Sequence, residues 1–298
     1  MRILISGASG LIGSALTSRL STDGHTVLRL VRREAKAGEF TWDPAGGKLD
    51  PAAFEGCDAV VNLSGAGIGN KRWTGDYKAE LVSSRIQGTE LLASTIAALD
   101  EVPSVFLSGS AVGWYGDRGD ERLDELSVPG SDFLSDLCQQ WETATLVAEK
   151  AGIRTVHLRT GLVLSASGGA LRKQLPLFKL GLGGRFGNGH QWQSWISIDD
   201  EVGAIAHLLT AEICGPVNLT APEPVTNTEF TSTLAKVLHR PAVLPVPIFA
   251  PKIALGGELV ESLLLSSQRV LPTVLQRSAY EFRHPTLEAA LRAVLQRE

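Results

Sequence analysis

The spacing of hydrophobic positions changes several times along the chain, and each change marks an element. Arg2-Ile3-Leu4-Ile5-Ser6 is a short β-rich run that stops at Gly7. Between Leu11 and Leu20 the apolar residues fall at 11, 12, 15, 16 and 20, one face of a helix, and Gly24 supplies a stop signal. Val27-Leu28-Arg29-Leu30-Val31 reads as a second strand. Phe40 to Gly56 is rich in Gly, Pro and Asp and predicts a loop or irregular hairpin. Asp58 to Leu63 is a third, buried strand, followed by a long helix from about Thr74 to Leu99. Ser104 to Ser108 is a fourth strand, residues 132–151 a helix, and Thr155 to Leu158 the next strand. Strands alternating with helices predict a parallel, doubly wound sheet.

Past residue 165 the rhythm breaks. Leu180 to Gly189 is a glycine-rich loop, Trp195-Ile196-Ser197-Ile198 a short strand, and a helix starts near Asp199-Asp200. Thr226-Asn227-Thr228-Glu229 has the form of a capping box and opens a helix ending near His239. Pro241, Pro245, Pro247 and Pro251 punctuate a connector, and helical stretches follow near 250–266 and 286–296. The expected architecture is α/β: a Rossmann-type doubly wound parallel sheet over residues 1–165, with a smaller mixed α/β C-terminal lobe over 166–298. Part of 196–220 is expected to return to the sheet.

Composition narrows the function classes. With 298 residues, 44% hydrophobic and 20% charged, the chain can bury a sizeable core. A net charge of -4 and no basic tract argue against a nucleic-acid binder. No run approaches the roughly 18 apolar residues of a membrane span. The chain opens directly on a strand, so no signal peptide is expected. Cys57, Cys138 and Cys214 are widely spaced, as expected of reduced thiols in the cytoplasm. The six histidines form no i, i+4 pair, so no metal is expected. A homo-oligomer is compatible with all of this.

The turn Gly7-Ala8-Ser9-Gly10-Leu11-Ile12-Gly13 lies between a strand and a helix at the start of a βαβ unit. There Gly7 permits positive φ, Gly10 lets backbone approach a pyrophosphate, and Gly13 lets the helix pack closely on the strand. The helix start offers unpaired N–H groups to phosphate. At the end of the second strand, where an acidic residue would hold the ribose of NAD, stand Arg32 and Arg33. A forked permanent cation suits a 2′-phosphate, which favours NADP(H) over NAD(H); solvated loop charges are the alternative. Leu63-Ser64-Gly65-Ala66 fits backbone passing beneath an adenosine, or an ordinary tight turn.

The G-x-x-G-x-x-G spacing resembles the extended branch of the short-chain dehydrogenase/reductase superfamily. Val105-Phe106-Leu107-Ser108-Gly109-Ser110-Ala111-Val112-Gly113-Trp114-Tyr115-Gly116 looks like that branch's fourth-strand signature. The resemblance places Ser110 at the catalytic serine or threonine. Most members add Tyr-x-x-x-Lys, in which lysine lowers the tyrosine pKa. This chain has none: Leu81, Gly119 and His284 follow its three tyrosines by four, and Leu134 and Cys138 stand where the pair belongs. That combination is similar to the atypical members called epimerase family proteins, nucleoside-diphosphate-sugar-epimerase-like and of the SDR39U1-like type. Further likeness is carried by Cys57 to Leu63, Trp141-Glu142, Leu180 to Gly184, Gly189 to Asp200, Arg269-Val270-Leu271-Pro272 and Phe282-Arg283-His284-Pro285.

The resemblance implies that Glu80 and Arg85 sit near the cofactor edge, with a surface or inter-helix ion pair as the alternative. Arg159 ends the strand after Thr155, where it either meets an anionic substrate or braces the loop. Trp192 and Trp195 lie on a loop that the resemblance sets over the substrate cleft, to stack on a ring or to join two lobes. His190, by its intrinsic pKa, and Tyr115, by its nearness to Ser110, are the remaining proton-donor candidates. Two functions follow. One is an NADP(H)-dependent oxidoreductase or epimerase on a small polar or sugar-like substrate. The other is a non-catalytic NADP(H)-sensing or regulatory binding protein.

Overall fold

The computed structural model describes residues 1–296. The chain opens with β1 (Arg2–Ser6), α1 (Leu11–Thr22) and β2 (Thr26–Val31). The Gly- and Pro-rich stretch beyond them holds an antiparallel hairpin of β3 (Glu39–Asp43) and β4 (Lys48–Leu49). Next come β5 (Ala59–Asn62), α2 (Gly75–Ala97), β6 (Val105–Ala111) and the short β7 (Arg122–Leu123). Thr74 caps α2 by accepting the Tyr77 amide.

The helix expected over 132–151 divides into α3 (Phe133–Thr143) and α4 (Leu146–Lys150). Thr145 sits at the break. Its hydroxyl reaches the Glu142 carbonyl at 2.8 Å, His157 Nε2 at 2.9 Å and Glu149 Oε1 at 3.0 Å. Local side-chain bonds of this kind compete with the helical ladder. β8 (Arg154–Thr160) and β9 (Leu162–Leu164) follow.

The main sheet has the order β12-β8-β6-β5-β1-β2-β3-β4, where β12 is Gly215–Leu219. All its pairs are parallel except β3 with β4. Strand order reverses between β1 and β5, so the carboxyl ends of these strands form the crevice where open α/β sheets bind ligands. Strands buried on both faces explain the near-continuous apolar runs. Ile3, Ile5, Val61 and Leu107 face Leu16 and Leu20 of α1 and Ile205 and Leu208 of α6 (Ile198–Thr210). Leu4, Val60 and Phe106 face Leu92 and Ile96 of α2 and Ala148 of α4.

The rest of the chain includes α5 (Gly169–Lys179), β10 (Trp192–Gln193), β11 (Trp195–Ser197), β13 (Val225–Thr226), α7 (Asn227–Leu238), α8 (Phe249–Leu255), α9 (Gly257–Val260), β14 (Arg269–Val270), α10 (Thr273–Arg277) and α11 (Leu287–Leu295). The capping box is formed: Thr226 and Glu229 bond reciprocally, and α7 ends on left-handed His239. The single helix expected near 250–266 is interrupted at Gly256, whose φ is 96°. Phe178, Trp195, Phe230, Leu234 and Leu291 build a separate core between α5, α7 and α11. The strand β12 returns the chain to the main sheet beside β8. Among the described residues no helix is long and apolar enough to cross a membrane.

Candidate functional site

The glycine turn lies at the carboxyl end of β1. Gly7 has φ 71°, and a Cβ there would sit 2.4 Å from the Leu63 carbonyl oxygen. A Cβ on Gly13 would sit 2.2 Å from the Gly7 carbonyl oxygen, so α1 approaches β1 as closely as backbone allows. Gly10 is exposed, and α1 begins on it with no side-chain cap. The first-turn N–H groups are therefore free to meet an anion. A cradle without Cβ atoms beneath an uncapped helix fits a dinucleotide pyrophosphate. Ser9, Leu11 and Ile12 lie on the same turn, with Ser9 exposed.

Beside it, the turn after β5 is braced from below. Asn62 Oδ1 accepts the hydroxyls of Ser6 at 2.6 Å and Ser64 at 2.7 Å. Asn62 Nδ2 donates to Thr89 Oγ1 at 2.8 Å, and Trp141 Nε1 reaches the same oxygen at 2.9 Å. Arg85 lies across Leu63-Ser64-Gly65-Ala66, donating to the Ala66 carbonyl at 3.0 Å, with its guanidinium 5.0 Å from the Trp141 ring centre. Glu80 does not join it. Five residues apart, the two side chains leave α2 in different directions, and Glu80 pairs with Lys71 at 3.2 Å on the surface.

The two arginines after β2 separate. Arg33 makes a two-pronged bond to Glu39 at 2.7 and 2.8 Å, which ties the end of β2 to the start of β3. Arg33 holds the Glu39 carboxyl down at about 2. Arg32 is exposed and has no hydrogen bond or ion pair among the described residues. Of the two arginines expected at a 2′-phosphate, Arg33 is thus engaged by its own strand pair, and Arg32 is the one whose guanidinium is left open.

At the carboxyl ends of β6 and β8 a different chemistry is built. Ser110 stands opposite Arg159 in the strand register. Ser110 Oγ donates to Glu142 Oε1 at 2.7 Å. Arg159 grips the same carboxylate through Nε at 2.8 Å and Nη2 at 2.9 Å, and its guanidinium lies 3.9 Å from the Trp114 ring centre. With 3% of its surface exposed, Arg159 braces the interior and does not receive an anionic substrate. Tyr115 is fully buried, donates to Asn218 Oδ1 at 2.7 Å and accepts from Arg159 at 3.1 Å. Burial pushes its phenol up to about 12, so neither access nor acidity suits it to proton donation.

Leu134 and Cys138 occupy α3, and burial pushes the Cys138 thiol up to about 12. His190 is exposed on its loop and shares no hydrogen bond with Ser110, Tyr115 or Glu142 among the described residues. Trp195 is fully enclosed in the lobe core and donates to the Glu223 carbonyl at 3.0 Å, so it packs and cannot stack on a substrate. Trp192 is half-buried and donates to Asp120 at 2.8 Å. It lines a cavity of about 350 Å³ with Arg122, Val225, Arg269 and Leu271.

Sequence reasoning missed several polar groups at this edge. Glu142 was part of a family likeness without a role. His157, Asn62 and Glu201 carried no sequence signal, since nothing local distinguishes a polar side chain that the fold buries from one that it leaves at the surface. Glu201 is fully buried on α6, accepts the Thr160 hydroxyl at 2.8 Å, and is pushed up to about 8 by burial. Burial therefore favours its neutral form.

Comparison with known proteins agrees with this geometry. The model of the NAD dependent epimerase/dehydratase family matches residues 3–219, and a domain of unknown function (DUF1731) matches residues 246–294. An epimerase family protein of Mycobacterium bovis is 46% identical over 291 residues, covering 97% of this chain and 96% of its own. The human epimerase family protein SDR39U1 is 37% identical over 299 residues, covering 99% and 100%. The crystal structure of the human protein, isoform 2, with NADPH has a TM-score of 0.91 at 35% identity over 99% of both chains. The nucleoside-diphosphate sugar epimerase of Corynebacterium glutamicum has a TM-score of 0.80 at 38% identity, covering 99% of this chain and 58% of that one. The glycine cradle, the sheet order and these likenesses over almost the whole length agree: the chain belongs to the NAD dependent epimerase/dehydratase family, as an epimerase family protein of the SDR39U1-like type.

Proposed function

We propose that the protein binds NADP(H) and acts as an oxidoreductase or epimerase on a small polar or sugar-like substrate, without a Tyr-x-x-x-Lys pair. One observation carries the reading. The Cβ-free cradle of Gly7, Gly10 and Gly13 shares the sheet edge with the guanidinium of Arg32, exposed and unpaired among the described residues. The NADPH in the human relative's structure supports the same cofactor. Gly7 to Gly13 would hold the pyrophosphate, Arg32 the 2′-phosphate, and Ser64, Gly65 and Arg85 the adenosine side. When bound, NADP(H) supplies hydride exchange. Ser110 would hold the substrate oxygen at the end of β6.

The test has two parts. Arg32→Ala is expected to weaken NADPH about tenfold, or about 1.4 kcal/mol, while leaving NADH nearly unchanged. Titration by nucleotide fluorescence reads both, and equal losses would defeat the assignment. Wild-type protein with NADPH is then screened against carbonyl and nucleotide-sugar panels for loss of reduced-cofactor absorbance. Turnover that Ser110→Ala abolishes supports the enzyme. Tight NADPH binding without turnover across the panels favours the sensing protein, the reading that the buried Tyr115 and Cys138 keep in play.

A further inference from the structure

The register between β6 and β8 sets two pairs on one face of the sheet: Ser110 opposite Arg159, and Ser108 opposite His157. That face is covered by α3 and α4, which carry Glu142 and Glu149. The result is a row of polar groups leading from buried Ser110, near the carboxyl end of β6, toward the surface at Glu149. Ser110 Oγ is 2.7 Å from Glu142 Oε1. Glu142 Oε2 is 3.6 Å from His157 Nδ1. On the far side of the ring, His157 Nε2 is 2.9 Å from Thr145 Oγ1 and 3.3 Å from Glu149 Oε1. Glu142 and His157 are buried, whereas the Glu149 side chain is 36% exposed. A structural brace needs only Glu142 and Arg159. The continuation through His157 to an exposed carboxylate, across a helix broken at Thr145, has no part in that brace. Ser108 Oγ, buried directly across from His157 without a partner among the described residues, leaves a further hydroxyl along the row.

We propose that Ser110, Glu142, His157 and Glu149 form a proton path from the cleft to the surface, with Glu142 the proton acceptor behind Ser110. The inference rests on the hydride-exchanging reading above. In alcohol oxidation, the substrate O–H bond breaks and its proton passes to Ser110 Oγ as the serine's own proton passes to Glu142. The carbon–hydrogen bond breaks with its electron pair going to NADP⁺ as hydride, and the carbon–oxygen double bond forms. The products are a carbonyl, NADPH and one proton on Glu142. That proton moves to His157 Nδ1, and the one on Nε2 leaves through Glu149 to water. Carbonyl reduction runs the same path inward. Arg159 fixes both oxygens of Glu142 through its two hydrogen bonds, which sets Oε1 where it accepts the Ser110 hydroxyl. Glu142 acts through Ser110 and is a positioning residue in this scheme.

The groups facing His157 are Glu142 on α3, Glu149 and Thr145 at α4, Arg159 on its own strand and uncharged Ser108 on β6. Burial depresses its pKa and the two carboxylates oppose that. Titration of ¹⁵N-histidine-labelled, ligand-free protein by NMR therefore reads the wiring without turnover. The His157 signal is expected to titrate at lower pH in both Glu142→Gln and Glu149→Gln. Glu149 is at the surface, so its variant should fold even where Glu142→Gln does not. An unmoved His157 in Glu149→Gln overturns the path. With a turned-over carbonyl and NADPH, Glu142→Gln should lower kcat about 10²- to 10⁴-fold with NADPH affinity retained. His157→Gln should be slow and rescued by added imidazole. Wild-type kcat and an unchanged pH profile in Glu142→Gln would overturn the proposal while leaving NADP(H) chemistry intact. No turnover by the wild type defeats the enzyme reading itself, and the NMR titration still decides whether the row is coupled.

Discussion

The two halves of the sheet edge are made in opposite ways. Around β1, β2 and β5 the site is built from missing atoms: glycines without Cβ, a helix start without a side-chain cap, and an arginine without a partner among the described residues. Around β6 and β8 it is built from filled positions. There Arg159, Glu142, Ser110 and Tyr115 satisfy one another in the interior. A dinucleotide is large, and its phosphates need backbone and open space. Proton chemistry needs a few groups held fixed away from water. The difference gives a rule for perturbation: damage to the first half should show in cofactor binding, and damage to the second in stability and turnover.

The largest effect should come from the buried pair. Arg159→Leu removes the counter-charge of a carboxylate only 7% exposed, and losing one partner of such a pair costs about 3–5 kcal/mol. Glu142→Leu combined with Arg159→Leu removes both charges and should recover most of that loss. Urea denaturation measures each. A single variant within about 1 kcal/mol of wild type would mean that the two halves are not distinguished by buried charge.

Gly13→Ala tests the other half. The added Cβ would lie 2.2 Å from the Gly7 carbonyl oxygen, so backbone must shift. Overpacking of this kind costs about 1–3 kcal/mol, less than the Arg159 change, yet NADPH binding should be lost because the cradle itself opens. Retained NADPH affinity would remove the glycine turn from the proposed site.

Glu201 sharpens the contrast through pH. Its carboxyl is raised from an ordinary 4.5 to about 8 by burial. Above pH 4.5 the unfolded chain has lost this proton while the folded chain keeps it, so unfolding releases a proton. Stability from this group is full below about pH 4.5 and falls as pH rises toward 8. Glu201→Gln, which cannot ionise, should flatten the decline of the unfolding midpoint between pH 5 and 8. An identical slope in the variant would show that the acid is already charged.

These halves were not equally legible in the sequence. The glycine turn was, because its spacing sits in a strand–turn–helix context and each glycine has a local reason. Ser110 was legible only through the strand-four resemblance. The pairing of Arg33 was not legible, since its partner Glu39 heads a short strand that no hydrophobic pattern in the sequence marks. Arg159 and Tyr115 stood in the right places, but their partners Glu142 and Asn218 are 17 and 103 residues away. Trp195 could not be separated from Trp192 by sequence, because the alternation that sends one into the core depends on pairing with β9. Long-range register decides which polar residues become interior machinery, and a single sequence carries little trace of it.

The smallest effect should be at Glu80. It shares α2 with Arg85, and both were expected at the cofactor edge, but only Arg85 crosses the turn after β5. Glu80 reaches Lys71 with the two side chains 50% and 64% exposed, a pair that water and salt screen heavily. Such pairs contribute about 0–1 kcal/mol. Glu80→Ala should therefore leave NADPH affinity unchanged and move the urea midpoint barely at all, whereas Arg85→Ala should weaken NADPH measurably by freeing Gly65-Ala66. If Glu80→Ala weakens NADPH as much as Arg85→Ala does, then α2 presents its outer face to the cofactor, and the first half of the edge extends further round the helix than Gly65 and Arg85 alone would place it.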